Sequence, residues 1–89
     1  MQILRRKSFV KSYSCLIRKV QDKADDALLL FEKDPTHVEL RNHALKWKWL
    51  WYRSIDVTGD YRIVWRELGG DRYEFVEIVD IGTHSQLYG

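Results

Sequence analysis

The chain has 89 residues, of which 45% are hydrophobic and 13% aromatic, enough for one thin core in a single domain spanning residues 1–89 and too apolar for a disordered chain. Fifteen Lys and Arg stand against 13 Asp and Glu, a formal charge of +2 that does not by itself demand a nucleic-acid partner. Cys15 is alone, so an internal disulfide is excluded, and one Cys with three scattered His offers no zinc spacing. With no run of about 18 apolar residues and no signal-peptide core, the expectation is a cytoplasmic protein with no membrane partner, cofactor or metal.

Gln2 to Arg5 is a candidate edge strand. Ser8 is placed to cap a first helix, along which Phe9, Tyr13, Leu16, Ile17 and Val20 form one apolar stripe. Asp22 is placed to cap a second, with Ala24, Ala27, Leu28 and Phe31 repeating the pattern until Asp34-Pro35 ends it. So short a connection predicts an antiparallel helical hairpin. Residues 36 to 48 are polar and basic and read as a loop with room for one helical turn. Three β-rich runs follow, Leu50 to Val57, Tyr61 to Leu68 and Arg72 to Ile81, separated by Thr58-Gly59-Asp60 and Gly69-Gly70-Asp71. They predict an antiparallel meander. In the middle run Tyr61, Ile63 and Trp65 should face the helices, leaving Asp60, Arg62, Val64 and Arg66 outward. A short polar tail closes the chain. The fold class is α+β: an N-terminal strand and helical hairpin on an antiparallel meander.

Charge is unevenly distributed. Arg5, Arg6, Lys7, Lys11, Arg18 and Lys19 load the first twenty residues, and Lys46, Lys48, Arg53, Arg62 and Arg66 the middle. The two zones could converge on a phosphate backbone or form an ordinary solvated surface.

Three stretches carry a resemblance. Asn42-His43-Ala44-Leu45-Lys46 is similar to the segment preceding the sheet in YafQ-type toxins. Gly59-Asp60-Tyr61-Arg62-Ile63-Val64-Trp65 resembles the central-strand signature of the RelE/ParE superfamily. The ending Ile81-Gly82-Thr83-His84-Ser85-Gln86-Leu87-Tyr88-Gly89 resembles the C-terminal motif of YafQ-type members. The match spans essentially the whole chain, and its last motif is the most specific. It implies a RelE-like fold and the toxin of a type II toxin–antitoxin system. Such a toxin enters the ribosomal A site, cuts mRNA there, and is a monomer held silent in a hetero-oligomeric complex by a cognate antitoxin. His43, Asp60 and His84 stand at positions matching the family's His and Asp cluster, and Tyr88 at that of its terminal aromatic. Asp56 stands where the YafQ pattern has a further His. Arg62 matches the strand arginine of RelE itself.

Metal-free RNA cleavage needs a base for the ribose 2′-OH, a cation for the crowded phosphate and an acid for the leaving 5′-oxygen. The resemblance implies His84 as acid and Asp60 or His43 as base, with Asp60 or Asp56 orienting an imidazole and Arg62 on the phosphate. Lys46 and Lys48, with Arg53 and Arg66, would bind flanking phosphates, and Tyr88 or Trp47 could stack a base. Plainer roles stand beside these. His43 can brace the loop, Asp60 can be a turn residue, and Asp56 can pair with Arg53 or Arg62. The aromatic run Trp47, Trp49, Trp51, Tyr52 can be core and rim, with some members exposed. Rival functions are gyrase inhibition of the ParE kind, which lacks such a titratable cluster, and a degenerate toxin that only binds its antitoxin.

Overall fold

The structure is a computed structural model and describes residues 1–70 and 72–89, so the expected turn role of Asp71 lies outside the described residues. In chain order the elements are β1 (Gln2–Arg5), α1 (Lys7–Ser14), α2 (Arg18–Lys33), a 3-10 turn (Val38–Leu40), β2 (His43–Ala44) and a second 3-10 turn (Trp47–Trp49). Then come β3 (Arg53–Asp56), β4 (Tyr61–Glu67), β5 (Phe75–Thr83) and α3 (His84–Tyr88). The five strands form one sheet in the order β1-β5-β4-β3-β2. Strands β2 to β5 pair antiparallel, and β1 closes the edge parallel to β5, with Gln2 opposite Phe75 and Arg5 opposite Ile78. The α+β layout is as the sequence predicts.

One face of the sheet carries the main core. Phe9 from α1 and Ala24, Ala27, Leu28 and Phe31 from α2 pack on Ile55, Ile63, Trp65, Val76, Ile78 and Ile81. Phe31 lies 4.8 Å from Trp65 between ring centroids, and Tyr73 lies 5.5 Å from Trp65. Ile63 and Trp65 thus face the helices, as alternation requires. The indole Nε1 of Trp65 is buried with no hydrogen-bond partner among the described residues.

Both helix starts differ from expectation. The N-cap of α1 is Arg6 and that of α2 is Ile17, and neither side chain caps. Ser8 is drawn away by a tertiary bond: its hydroxyl donates to the carbonyl of Val79. Val79 is the extra residue of a bulge in β5, where Val64 pairs Asp80 but Trp65 pairs Ile78. A bulge leaves ladder groups open, and Ser8 fills one of them. Asp22 lies one turn inside α2, where it accepts from Arg18 Nε at 3.2 Å. The stripe read as one helix is broken at Cys15–Ile17, where Ile17 is extended and its carbonyl accepts the first amides of α2. Val20 therefore belongs to the second helix.

The bulge also turns Val79 to the opposite face. There it joins Val64 and Leu87 in a smaller buried cluster, flanked by Leu45, Trp49, Tyr52 and Tyr88. The face expected to look outward is therefore partly roofed. The roof is α3, where the sequence predicts only a polar tail. A capping box starts it: Thr83 Oγ1 accepts from the Gln86 amide and the Gln86 side chain accepts from the Thr83 amide. The first strand of the meander begins at Arg53 rather than Leu50, because residues 47–49 form a 3-10 turn and Trp51 takes φ 78°. The loop over 36–48 contains a 3-10 turn, the strand β2 and the start of the second turn.

Candidate functional site

Between α3, β2 and the 3-10 turn at Trp47–Trp49 lies a cleft of about 550 Å³. Its walls include His43 from β2, Asp56 from β3, Arg62 from β4, and His84 and Tyr88 from α3, with Arg41, Lys46, Trp47 and Lys48 on the loop side. Side chains from β3 and β4 reach it because Asp56 and Arg62 are directly paired across the ladder and share the face of Ser54 and Val64. The two imidazoles are exposed and the Asp56–Arg62 pair is half-buried beneath them.

The pair is tightly held. Arg62 Nε lies 2.9 Å from Asp56 Oδ1, the side chains being 17% and 15% exposed, and Arg41 Nε lies 3.6 Å from Asp56 Oδ2. Arg62 Nη1 also donates to the carbonyls of Thr58, Gly59 and Tyr61 at 2.9–3.1 Å. Three hydrogen bonds from Nη1 and the ion pair at Nε fix the guanidinium. Two partners for one carboxylate leave the cluster with a net positive charge facing the cleft.

The imidazole of His43 has its Nδ1 2.7 Å from the Arg41 carbonyl. A carbonyl oxygen only accepts, so Nδ1 carries a proton and, in the neutral ring, the lone pair is on Nε2. His84 opens α3 with its amide donating to the Asp60 carbonyl at 3.2 Å, and its ring meets Tyr88 edge-on at 4.8 Å. Tyr88 in turn donates through its hydroxyl to Ser54 Oγ at 3.0 Å. Trp49 Nε1 donates to the Leu87 carbonyl at 2.7 Å. These contacts make α3 a fixed wall, and they engage the Tyr88 ring and hydroxyl within the protein.

Three residues singled out in the sequence lie off the cleft. Asp60 is exposed in the β3–β4 turn, where its amide donates to Thr58 Oγ1, and only its backbone touches His84. Arg53 is on the helix face, donating to Asn42 Oδ1 at 3.0 Å with its guanidinium 6.0 Å from the Trp65 ring. Arg66 donates to Glu77 Oε1 at 2.7 Å and covers the Tyr52 ring at 5.8 Å. Arg6 donates to the same Glu77 oxygen at 2.7 Å, and these guanidiniums, Arg6 first, hold the Glu77 carboxyl below its ordinary value. Arg41 is a cleft residue that the sequence did not mark. Its backbone is left-handed, φ 47° and ψ 46°, and nothing in a polar loop announces that.

Two tryptophans stand out physically. Trp47 (φ 59°) and Trp51 (φ 78°) adopt backbone conformations that favour glycine, at a cost of about 1–3 kcal/mol each. Burial does not offset it, since the side chains are 91% and 85% exposed. Among the described residues, no three His, Cys, Asp or Glu side chains cluster as a metal would require. No described helix is long and apolar enough to cross a membrane.

No protein-family model matches the chain, and no curated protein matches it by sequence. Solved structures do match. YafQ from E. coli superposes with a TM-score of 0.80 at 18% identity, covering 99% of this chain and 98% of that one. The E. coli DinJ-YafQ complex matches with a TM-score of 0.76 at 18% identity over 99% and 98%. A YoeB/ParE toxin from Agrobacterium tumefaciens matches with a TM-score of 0.75 at 20% identity over 94% and 99%. The chain has the RelE-like α+β fold of YafQ.

Proposed function

We propose that this chain is the toxin of a type II toxin–antitoxin pair and that it cleaves mRNA in the ribosomal A site without a metal. The observation that carries the reading is the convergence of two imidazoles, His43 and His84, on a cleft floored by the fixed Arg62 guanidinium. The YafQ-like fold supports it, and the existence of a DinJ-YafQ complex supports a cognate antitoxin as the silencing partner. The toxin itself is a cytoplasmic monomer within that hetero-oligomer.

In its neutral form His43 has its proton on Nδ1, held by the Arg41 carbonyl, and its Nε2 takes the 2′-OH proton; this geometry favours His43 over Asp60 as the base. The 2′-oxygen attacks phosphorus, and the bond to the 5′-oxygen breaks as His84 delivers a proton to it. The products are a 2′,3′-cyclic phosphate and a 5′-hydroxyl end. Arg62 and Arg41 face the charge that builds on the phosphate, with Asp56 fixing both guanidiniums. Lys46 and Lys48 neutralise neighbouring phosphates. Arg53 and Arg66, committed to Asn42 and Glu77, are not needed in this scheme.

The test is primer extension on mRNA in a translating extract, with cuts at discrete sites appearing on addition of the protein. DNA damage signalling without cuts would replace the reading with gyrase inhibition. Neither response would leave a module that only binds its antitoxin. One observation favours that last alternative, namely that Asp56 occupies the Nε edge of Arg62.

A further inference from the structure

Stability gives no reason for a tryptophan at position 47. Its backbone asks for glycine and its indole is almost wholly in solvent. Yet Trp47 lines the cleft, in the same depression as Lys46, Lys48, His43 and His84. Trp51 has the same strain and the same exposure but is not among the residues lining that cleft. An exposed aromatic ring at a cleft that Lys46 and Lys48 also line matches a polyanion that carries unpaired, flat, apolar-faced rings. Duplex RNA buries those faces in its own stack, and a folded protein surface seldom offers them.

We infer that Trp47 is a stacking platform for an unpaired nucleobase next to the phosphate in the cleft, so that the site selects single-stranded RNA by ring stacking rather than by base-edge hydrogen bonds. This rests on the proposed RNA chemistry of the same cleft. The 3-10 turn at Trp47–Trp49 sets the platform: Trp49 is tied to the Leu87 carbonyl, while Lys48 Nζ sits 5.9 Å from the Trp49 ring. The left-handed backbone at position 47 thus turns one indole outward while its neighbour two residues on is anchored inward. Every base has a π-face, so the preference is for bases over none, with little regard to which base.

The experiment compares two labelled oligomers of equal length by fluorescence anisotropy at low salt. One is a single-stranded 2′-O-methyl RNA, which cannot be cleaved, and the other is its abasic counterpart of the same charge. The intact protein should prefer the oligomer with bases by about tenfold. Trp47→Gly should lose that preference, Trp47→Phe should keep most of it, and Trp51→Gly should leave it unchanged. Lys46→Gln should weaken both oligomers alike. Because the glycine relieves strain, Trp47→Gly should melt no lower than the parent, and by about 4 °C higher. Equal binding of both oligomers by the parent, or no binding of either, would overturn the platform. So would a Trp47→Gly protein that keeps the preference, in which case the indole serves a protein partner, or one that melts lower, in which case it serves the fold. RNA cutting in the translating extract is read separately. Cuts by the parent with no base preference would sink the platform alone, whereas absence of cuts with the preference intact would sink the cleavage reading alone.

Discussion

The two faces of the sheet are built to different ends. The helix face buries a dozen side chains, five from the two helices and the rest from Leu40 and the sheet, and it is where the chain gains most of its stability. The cleft face buries three apolar side chains, Val64 and Val79 from the sheet and Leu87 from the five-residue helix over them, and leaves charged groups beside them. A small core that only holds a roof in place can carry ionised side chains at its margin. A large one cannot do so without burying them. The separation teaches that in a domain this thin, a substitution should change either folding or chemistry, and seldom both.

The largest expected effect tests the cleft side. His84→Ala should lower mRNA cleavage by about 10²–10⁴-fold while moving the unfolding free energy by less than about 1 kcal/mol, read by primer extension and urea denaturation. A loss of stability matching the loss of activity would break the comparison. The converse test is Phe31→Ala, which should cost about 3–5 kcal/mol by removing a ring packed on Trp65, with cleavage per folded molecule unchanged.

On the cleft face of the sheet, but outside the cleft, lies the ion cluster of Glu77 with Arg6 and Arg66, and it gives a pH signature. Folding lowers the Glu77 pKa below the ordinary carboxylate value, so its stabilisation is complete above that value and drains away as pH falls through the lower folded one. Glu77→Gln should therefore cost about 1–2 kcal/mol at pH 7, modest because both guanidiniums reach solvent, and the gap to the parent should narrow in acid below about pH 4. A gap that stays constant with pH would assign the loss to packing. The smallest effect is expected at the start of α3. Thr83→Ala removes one arm of the capping box and should cost about 1 kcal/mol, seen as faster amide exchange at Gln86. Cleavage should fall further than that energy accounts for globally, because the helix it loosens carries His84.

Much of this was legible in the chain. Alternation in Tyr61 to Leu68 and the turn at Thr58-Gly59-Asp60 give the meander, and the stripe through Ala24, Ala27, Leu28 and Phe31 gives the long helix, because each depends on local periodicity. What escaped reading depends on distant partners. Ser8 has the chemistry of a cap but satisfies the β5 bulge instead, and no local pattern distinguishes the two uses. The helix α3 is too short to announce itself, and is held by Trp49 and by the Tyr88–Ser54 bond across 34 positions of sequence. The cleft was legible as a set of titratable residues. Its boundary was not: Arg41 enters through a left-handed backbone, and Asp60 stays outside although it neighbours Tyr61 in the signature.

The parallel pairing of β1 with β5 ties Gln2–Arg5 to positions 75–78. During synthesis β1 thus has no sheet neighbour until β5 has emerged, and the small roof over the cleft follows it. Nascent chains stalled short of Ile78 would carry a complete helical hairpin and yet no closed sheet edge. Closure of this sheet edge is gated by the arrival of β5 rather than by formation of the helical hairpin that precedes it.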